Sequence, residues 1–411
     1  MGAVPQPDSL IQSRPVETAC DVLIVGASLA GSAAAKRTVD AGFKTIILER
    51  KELPRHKICS GILSPRGYRF FKENFGEPPD IAYHAPKWVT GVNFLFPNGL
   101  QLPMPFQPGP TVHIYRKHAD HHVVKACRAE VHERTEFVEI KPRAKDVLVE
   151  AKRSGAPVTY RAKYVIAADG PRSNVVASLY PGFRDSIYWF VVGQKYYKAE
   201  LDLDPNWFHF TINSRLGYYN WSHPENGCHI VGYTGEHGDA WPAGHAKVVE
   251  YFKKHHGLKI QQEVFKEGCL ENFGMSLTNN FVFGKDRVLV TGQAAGFLNM
   301  MAEGMSCAMH SGAIAGESIV ESFARNRDAN AIYDELVQSE RKRTVDQWNP
   351  LKILFENPHE ADLKAAILKH PVSERAYMVK EMLAYIGQFR GYSWLAPIMT
   401  AAAKRLFLGR Y

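Results

Sequence analysis

Short apolar runs separated by small or polar residues predict the first part of the fold. Residues 22–25 read Val-Leu-Ile-Val, Gly26 follows, and the next stretch is rich in alanine and serine. A second apolar run at 45–48 ends at Glu49 and Arg50. Such continuous runs are typical of buried strands in a parallel sheet. The order of strand, glycine turn, small-residue helix, strand and acid predicts a dinucleotide-binding unit with Glu49 and Arg50 at its edge.

The turn between the first strand and the helix suits a pyrophosphate. Gly26 allows the chain to turn sharply, and Gly31 allows the helix to lie close against the sheet. Backbone N–H groups at the helix N-terminus, from Ser28 to Ala30, can donate to phosphate oxygens. Ser28 stands where the fingerprint has its middle glycine, and Glu49 can accept hydrogen bonds from ribose hydroxyls. The cofactor we expect is FAD.

Downstream, the pattern of apolar and polar positions predicts more strands of this sheet and a second sheet. Buried runs at 164–168 and 287–290 predict strands of the nucleotide sheet, and alternating aromatic residues between 188 and 234 predict half-buried strands of another. The pattern also predicts a hairpin over 87–102 with its turn at Asn98-Gly99, a helix from Arg116 to about His132, strands near 136–149 and 160, a long helix over 304–323 and helices over 325–411.

The fold class is therefore α/β, with a discontinuous Rossmann-like FAD-binding domain, an antiparallel-sheet substrate domain and a helical C-terminal region. We assign the FAD-binding domain to residues 1–80, 105–185 and 280–325, because nucleotide-type motifs recur far downstream of the first one. The substrate-binding sheet is assigned to residues 81–104 and 186–279, and the C-terminal region to 326–411.

Composition and charge exclude several classes of protein. With 411 residues, 45% hydrophobic and 22% charged, the chain has the composition of a globular protein. No apolar run reaches the roughly 18 residues of a membrane span, and no apolar signal-peptide core precedes the first strand, so we expect a cytoplasmic protein. The net charge of +8 is spread along the chain, which argues against nucleic acid as a partner.

Cysteine and histidine patterns predict no metal site. The six cysteines are scattered without a C-x-x-C pair, as is typical of free thiols. His118, His121 and His122 have helical spacing, but no acid accompanies them as in an H-E-x-x-H helix. We interpret them as exposed histidines on a helix and expect no bound metal.

Three downstream motifs stand at the spacings of a known superfamily. Arg116 precedes Asp120 by one helical turn, Asp169-Gly170 follows one buried run, and Gly292-Gln293-Ala-Ala-Gly296 follows another. In this order they resemble the FAD motifs of the flavoprotein superfamily that contains geranylgeranyl reductases and aromatic hydroxylases of the p-hydroxybenzoate hydroxylase type. The resemblance implies that Arg116 reaches the flavin ribityl chain and phosphates, and that the other two motifs border the cofactor.

The chain departs from the superfamily pattern beside the flavin. Gln293 stands where the superfamily has an aspartate that holds the ribityl chain. The stretch from Asn299 resembles the element Pro-x-x-Gly-Glu-Gly-Ile, with Asn299 and Ala302 in place of its proline and first glycine and Glu303-Gly304-Met305 at its end. The N-terminus of the following helix can still stabilise negative charge on the reduced flavin.

Two segments resemble the reductase branch of the superfamily. Lys57-Ile-Cys59-Ser60-Gly61-Ile-Leu-Ser64 is similar to Lys-x-Cys-Gly-Gly-x-Leu-Ser, which lies near the flavin. The segment Gly217 to Pro224 is similar to Gly-Tyr-x-Trp-x-Phe-Pro, which lines the substrate tunnel. The resemblance implies gating or proton delivery by Cys59, with Tyr219 and Trp221 at the substrate. The alternative is that the thiol and both aromatic rings are core residues.

The leading hypothesis is an FAD-dependent oxidoreductase that reduces a carbon–carbon double bond of an apolar, prenyl-type substrate by hydride transfer from flavin N5. The alternative is a flavin monooxygenase that hydroxylates an aromatic substrate, free or peptide-borne, through a C4a-hydroperoxide. A third hypothesis is a flavin-binding scaffold without catalysis. Electrons would come from NAD(P)H or a separate reductase. The apolar and basic stretch 392–411 predicts peripheral contact with the inner face of a membrane, or else a terminal helix over the substrate domain.

Overall fold

The strands follow the apolar runs of the sequence. The computed structural model describes residues 17–95, 101–106, 109–213, 216–236, 240–299 and 301–348. Its strands are β1 (Glu17–Val25), β2 (Thr45–Leu48), β3 (Tyr83–Val89), β4 (Gly91–Leu95), β5 (Gln101–Pro105), β6 (Thr111–Ile114), β7 (Glu130–His132), β8 (Thr135–Pro142), β9 (Val147–Arg153), β10 (Ala156–Ala167), β11 (Phe190–Glu200), β12 (Trp207–Asn213), β13 (Gly217–Glu225), β14 (Cys228–Glu236), β15 (Lys259–Glu271), β16 (Gly284–Lys285) and β17 (Val288–Val290).

Several helices begin at a serine cap or with a proline in the first turn. Ser64 and Ser173 each accept a hydrogen bond from a backbone N–H three residues on, as N-cap residues do. The helices are α1 (Leu29–Asp40), α2 (Pro65–Phe75), α3 (Arg116–Cys127), α4 (Asn174–Leu179), α5 (Trp241–His256), α6 (Phe273–Leu277), α7 (Met305–Arg325) and α8 (Ala329–Trp348), with single turns of 3-10 helix at Asp80–Ala82, Phe183–Ser186 and Gly292–Ala295.

The first sheet has the strand order β16-β17-β10-β1-β2-β7. Strand β1 runs parallel to β2 on one side and to β10 on the other, and β17 continues the parallel arrangement beyond β10. The early part of β10 pairs antiparallel with β9, which pairs with β8. Its strands thus come from residues 17–48, 130–167 and 284–290, while the exact limits of the proposed domains stay a prediction.

The second sheet has the order β15-β11-β14-β13-β12-β4-β5 and is largely antiparallel, with β12 parallel to β4. The predicted hairpin is the pair β4–β5, in which Leu95 pairs with Gln101; the turn between them lies outside the described residues. The prediction that this hairpin begins at Lys87 is wrong. Lys87 belongs to β3, which pairs with β6 in a separate two-stranded sheet.

Helix α3 and its histidines differ from the predictions. The helix ends at Cys127 instead of continuing to His132, because Arg128 adopts a left-handed conformation with φ of 60° and β7 follows. His118, His121 and His122 are half-buried and not exposed. Helical spacing identifies the face that they share, but it does not show that neighbouring elements cover it.

Helix α7 packs closely against α1, so residues far apart in the sequence are in contact. At Gly312 an added Cβ would lie 2.2 Å from the backbone oxygen of Ala30, and at Gly316 one would lie 2.5 Å from that of Ala34. These small residues let the two helices approach to backbone contact. Residues after 348, including most of the predicted C-terminal helical region, lie outside the described residues.

Candidate functional site

The site begins at the carboxyl end of the first sheet, where ligands bind in open α/β folds. Gly26 follows β1 with φ of 111°, and an added Cβ there would lie 2.4 Å from the carbonyl oxygen of Ala168. At Gly31, in the first turn of α1, an added Cβ would lie 2.0 Å from the carbonyl oxygen of Gly26. Both positions need glycine, and together they bring the N-terminus of α1 close to the ends of β1 and β10.

An ion-pair network lies beside the N-terminus of α1. Arg116 Nε donates to Asp120 Oδ1 at 2.7 Å, and Arg116 Nη2 donates to Ser28 Oγ at 2.9 Å. Ser28 Oγ donates to Asp120 Oδ2 at 2.9 Å. Arg55 donates to the same Asp120 oxygen at 3.3 Å and to Glu49 Oε2 at 3.1 Å. The residue that replaces the middle glycine of the fingerprint is therefore held by an arginine–aspartate pair.

Three cationic side chains, those of Arg55, Lys57 and Arg116, lie close together in and beside this network. Asp120 is fully buried; burial alone would raise its pKa, but the charges of Arg116 and Arg55 lower it. Lys57 lies on the same groove, and its burial, followed by the nearby charge of Arg116, lowers the pKa of its ammonium. A bound polyphosphate would relieve this crowding of positive charge, because it would pair with groups that now repel one another.

Asp169 has a buried acceptor and stands between Ala168 and Gly170, which line the groove. Its Oδ2 accepts hydrogen bonds from the backbone N–H groups of Asn174 at 2.8 Å and Val175 at 3.3 Å, which begin α4. Its Oδ1 is buried and has no hydrogen-bond partner in the part of the chain that the structure describes. Burial raises the pKa of this carboxyl. An unpaired buried acceptor costs free energy, so this oxygen suits a ligand donor such as a ribose or ribityl hydroxyl.

A carboxylate from a distant strand lies against Gln293. The Gln293 amide donates to Glu271 Oε2, and the Gln293 backbone oxygen accepts from Asn272 Nδ2 at 2.8 Å. Burial raises the pKa of Glu271, whose other oxygen accepts from Cys269 Sγ at 3.3 Å. Glu271 thus places a carboxyl group beside Gln293, the position at which the superfamily motif has an aspartate. Sequence reasoning missed it because the alternating pattern of β15 gives no sign of it.

Side chains fix the loop that precedes α7. Asn299 Oδ1 accepts from the backbone N–H groups of Met301 at 3.0 Å and Glu303 at 2.9 Å. The Glu303 carboxylate accepts from the Ser306 N–H at 2.7 Å and from its hydroxyl, which satisfies the first turn of α7. Ala302 adopts φ of 56°, a left-handed conformation that favours glycine. Ala302 therefore has the backbone conformation that a glycine would favour, although it is not a glycine.

A cavity of about 400 Å³ lies between these motifs and the second sheet, a size typical of small-molecule sites. Its motif side includes Ser28, Ala30, Lys57, Cys59, Gly61, Arg116, Gly170, Glu271, Gln293, Glu303, Gly304 and Met305. Its opposite side is apolar and includes Val92, Phe94, Phe106, Val192, Phe208, Phe210, Trp221, Phe273, Leu298 and Met301.

The three predicted catalytic residues have different outcomes. Cys59 is a free, half-buried thiol on the cavity, and it faces the Arg116 guanidinium. Trp221 lies in the apolar wall with its ring against Gly232, where an added Cβ would lie 1.9 Å from the indole. Trp221 thus both packs in the core and lines the cavity, so its role at the substrate stays a prediction. The side chain of Tyr219 lies outside what the structure describes.

The other predicted cofactor residues shape the groove without lining the cavity. Gly292 and Gly296 adopt φ of 61° and 100° and turn the chain after β17. At the end of β2, Glu49 is buried and Arg50 is exposed. Sequence reasoning missed Arg55, Lys57 and Arg343 as site residues. Arg55 and Lys57 belong to a short basic run, and Arg343 belongs to another, but neither run shows which of its residues point inward.

The residues present fit FAD, because a glycine turn, a helix N-terminus and a group of cations meet along one groove, and the unpaired Asp169 oxygen belongs to the residue between Ala168 and Gly170 of its lining. The fold and this groove define an FAD-dependent oxidoreductase. A model of the FAD-binding domain family matches residues 19–319, and the chain belongs to that family.

Several relatives of the chain are named digeranylgeranylglycerophospholipid reductases. The chain is 28% identical to digeranylgeranylglycerophospholipid reductase 2 of Methanopyrus kandleri, over 80% of this chain and 82% of the relative. It is 26% identical to digeranylgeranylglycerophospholipid reductase 3 of Methanosphaera stadtmanae, over 84% and 88%. A 30% identical match to reductase 2 of the latter organism spans 38% of this chain and only 40% of that relative.

Solved structures show that the fold is shared by reductase-like proteins and halogenases. A geranylgeranyl bacteriochlorophyll reductase-like protein from Thermoplasma acidophilum superposes with a TM-score of 0.70 at 19% identity, covering 89% of this chain and 99% of that one. The flavin-dependent halogenase CmlS superposes with a TM-score of 0.65 at 17% identity, covering 88% and 72%. Within the described ranges, no helix has the length and apolar character needed to cross a membrane.

Proposed function

We propose that the protein reduces a carbon–carbon double bond in an apolar, prenyl-type lipid. FAD, when bound and reduced, supplies the hydride. The observation that carries this proposal is the cavity, in which an aromatic and aliphatic wall faces the flavin motifs. The named digeranylgeranylglycerophospholipid reductases among its relatives support the same class of substrate.

The apolar wall suits a hydrocarbon chain. Phe208 and Phe210 lie on the same face of β12 with ring centroids 6.4 Å apart, and Phe94 meets Phe210 edge to face at 6.1 Å. Val92 and Leu298 belong to the same apolar cluster. Because burial of apolar area contributes about 25 cal/mol per Å², the free energy of binding here would grow with the length of the substrate chain.

Cys59 is the residue that we propose for gating or proton delivery. Its thiol lies on the motif side of the cavity, opposite the apolar wall and beside Arg116. A double bond bound between these two sides would lie in the same cavity as the thiol, which could then deliver a proton to it as a general acid. NAD(P)H or a separate reductase would supply the electrons.

The test is a single-turnover reaction without oxygen. FAD-loaded protein is reduced, mixed with a geranylgeranyl lipid, and followed by flavin absorbance and by mass spectrometry of the lipid. We expect the flavin to reoxidise only with lipid and the lipid to gain two hydrogens per reduced bond. Cys59→Ala should slow this step, whereas Cys228→Ala, on β14 away from the cavity, should not.

A monooxygenase is the second candidate, because the fold is shared with flavin-dependent halogenases as well as with reductase-like proteins. In that case, the anaerobic mixture would stay reduced. After admission of heavy dioxygen, the label would appear in an aromatic substrate. This outcome would replace the reductase proposal, since the two reactions differ in whether oxygen is consumed.

We also propose peripheral contact with anionic membranes through residues 392–411, which lie outside the described residues. The stretch combines apolar residues with Lys404, Arg405 and Arg410. Flotation with phosphatidylglycerol vesicles should recover the protein at low salt, and reversal of these three charges to glutamate should abolish recovery. Equal recovery of both proteins would contradict the proposal.

A further inference from the structure

Three histidines and one glutamate from three strands meet in the interior, outside the cavity. His84 lies in β3, His113 in β6, and His223 and Glu225 in β13. The three histidines are at most 5% exposed, and the Glu225 side chain is 11% exposed. These strands belong to two different sheets, so the cluster lies where the small β3–β6 sheet meets the large one.

The three imidazoles surround one carboxylate at nearly equal distances. Glu225 Oε1 is 3.6 Å from His84 Nδ1, while Glu225 Oε2 is 3.8 Å from His223 Nε2 and 4.0 Å from His113 Nε2. One ligand atom from each of His84, His113 and Glu225 lies within 4.8 Å of the others. These separations are too long for hydrogen bonds, but a central ion with bonds of about 2.0–2.2 Å would span them after small side-chain shifts.

Several of these polar atoms have no partner of their own. Both ring nitrogens of His223 and the Oε2 atom of Glu225 are buried without a hydrogen-bond partner among the residues described. Such groups are uncommon in folded proteins because each loses its contact with water on folding. A cation at the centre would satisfy the Glu225 oxygen and a His223 ring nitrogen together.

We propose that His84, His113, His223 and Glu225 form a binding site for a divalent transition-metal ion with zinc-like preference for nitrogen and oxygen ligands. Imidazole and carboxylate together suit this class of ion. The metal would replace two present contacts: the hydrogen bond from Asn226 Nδ2 to His84 Nδ1 at 2.9 Å, and that between His113 Nε2 and the Ser60 oxygen at 3.0 Å.

The surroundings of the ring nitrogens agree with this role. His113 Nδ1 lies 3.3 Å from the backbone oxygen of Pro86, so it can donate there while Nε2 binds metal, as ligand histidines commonly do.

A metal here would lie next to the segment that carries Cys59. Gly61 lies directly against the cluster, where an added Cβ would be 2.9 Å from His113 Cδ2 and 3.2 Å from His84 Cδ2. Gly61 and Cys59 both line the cavity, whereas the four proposed ligands do not. The ion would therefore join β3, β6 and β13 outside the cavity and would not act as a reactant.

The test measures metal content in untagged, FAD-loaded protein. After expression with zinc, iron and manganese in the medium and extensive dialysis, plasma mass spectrometry should find about one transition-metal ion per chain. His223→Ala and Glu225→Gln should lose most of it. His121→Ala, a half-buried histidine on α3, is the matched control and should keep it.

A second measurement uses only the native chain, so it does not depend on whether the variants fold. Protein stripped with a chelator is titrated with Co²⁺ and with Zn²⁺. We expect visible absorbance bands of cobalt in a nitrogen and oxygen site, displaced by zinc, and a higher Tm with zinc. No bound metal after purification together with no cobalt spectrum would overturn the proposal. Metal content that His223→Ala leaves unchanged would overturn it too, since the ion would then bind elsewhere.

Discussion

Replacement of Gly31 by alanine tests how tightly the first turn of α1 must approach β1. The new Cβ would lie 2.0 Å from the carbonyl oxygen of Gly26. Since carbon–oxygen contacts are about 3.3 Å or longer, the helix start must move by about 1.3 Å. Overpacking of this kind costs about 1–3 kcal/mol. Alanine is more favourable than glycine in a helix by about 1 kcal/mol, and this offsets part of the cost. The free energy of unfolding should therefore fall by about 2 kcal/mol or less.

FAD affinity should suffer much more than stability from Gly31→Ala. Two displaced N–H groups at a phosphate, each worth about 1.5–3 kcal/mol, predict a rise in Kd of about 100- to 10,000-fold. FAD is titrated into apoprotein while its fluorescence is followed, and Tm is measured in parallel. Gly109→Ala is the control, because no atom lies within 4 Å of a Cβ added there. A folded Gly31→Ala protein with a Kd within about threefold of the native value would refute the reasoning.

Three further changes test the site. Arg116→Met removes the 2.7 Å partner of fully buried Asp120 and should lower the free energy of unfolding in urea by about 3–5 kcal/mol. The pKa of Asp120 is lowered in the native protein. The stability that its ionised form contributes is therefore present above the ordinary pKa of an aspartate and is lost as the pH falls through the lowered pKa. The free energy of unfolding of the variant should therefore fall less between neutral and acidic pH than that of the native protein. Gln293→Asp places a second carboxylate against Glu271 and should weaken FAD binding, while the additional change Glu271→Gln should restore it, with a coupling of about 0.5–3 kcal/mol in a double-mutant cycle. Ala302→Gly replaces an alanine in the left-handed conformation and should raise Tm by a few degrees at most. Relief of the backbone strain stabilises the folded protein by about 1–2 kcal/mol, but the greater conformational entropy of glycine in the unfolded chain offsets part of this. A lower Tm would show that the loop is not strained.

The nucleotide-binding half of the fold could be predicted because its signals are local. A buried run, Gly26 and Gly31 occupy one short segment, and the structure gives a physical reason for each glycine in a backbone oxygen about 2 Å from the missing Cβ. The run at 164–168 joins the same sheet beside β1, as its continuous apolar pattern predicts. These features depend on neighbours in sequence and on sheet burial alone.

The rest of the site depends on contacts between distant residues. Glu271 meets Gln293 only because β15 ends beside the 3-10 turn after β17. The end of α3 could not be found from periodicity, because it rests on the left-handed conformation of Arg128. The histidine and glutamate cluster likewise shows no spacing pattern, since its members come from β3, β6 and β13 and meet only in the folded chain. Our expectation of no metal rested on cysteine and histidine spacing, which gives no information about side chains that come together from separate strands.

The close packing of α7 on α1 has a consequence for the order in which the protein is made. During synthesis, β1 and α1 leave the ribosome early, but Gly312 and Gly316 must be made before α1 receives its cover. Strand β17 likewise arrives late to the edge of a sheet that began near residue 17. Until these segments have been made, α1 lacks the cover that α7 gives it and the sheet lacks β17, so the native packing around α1 forms late in synthesis.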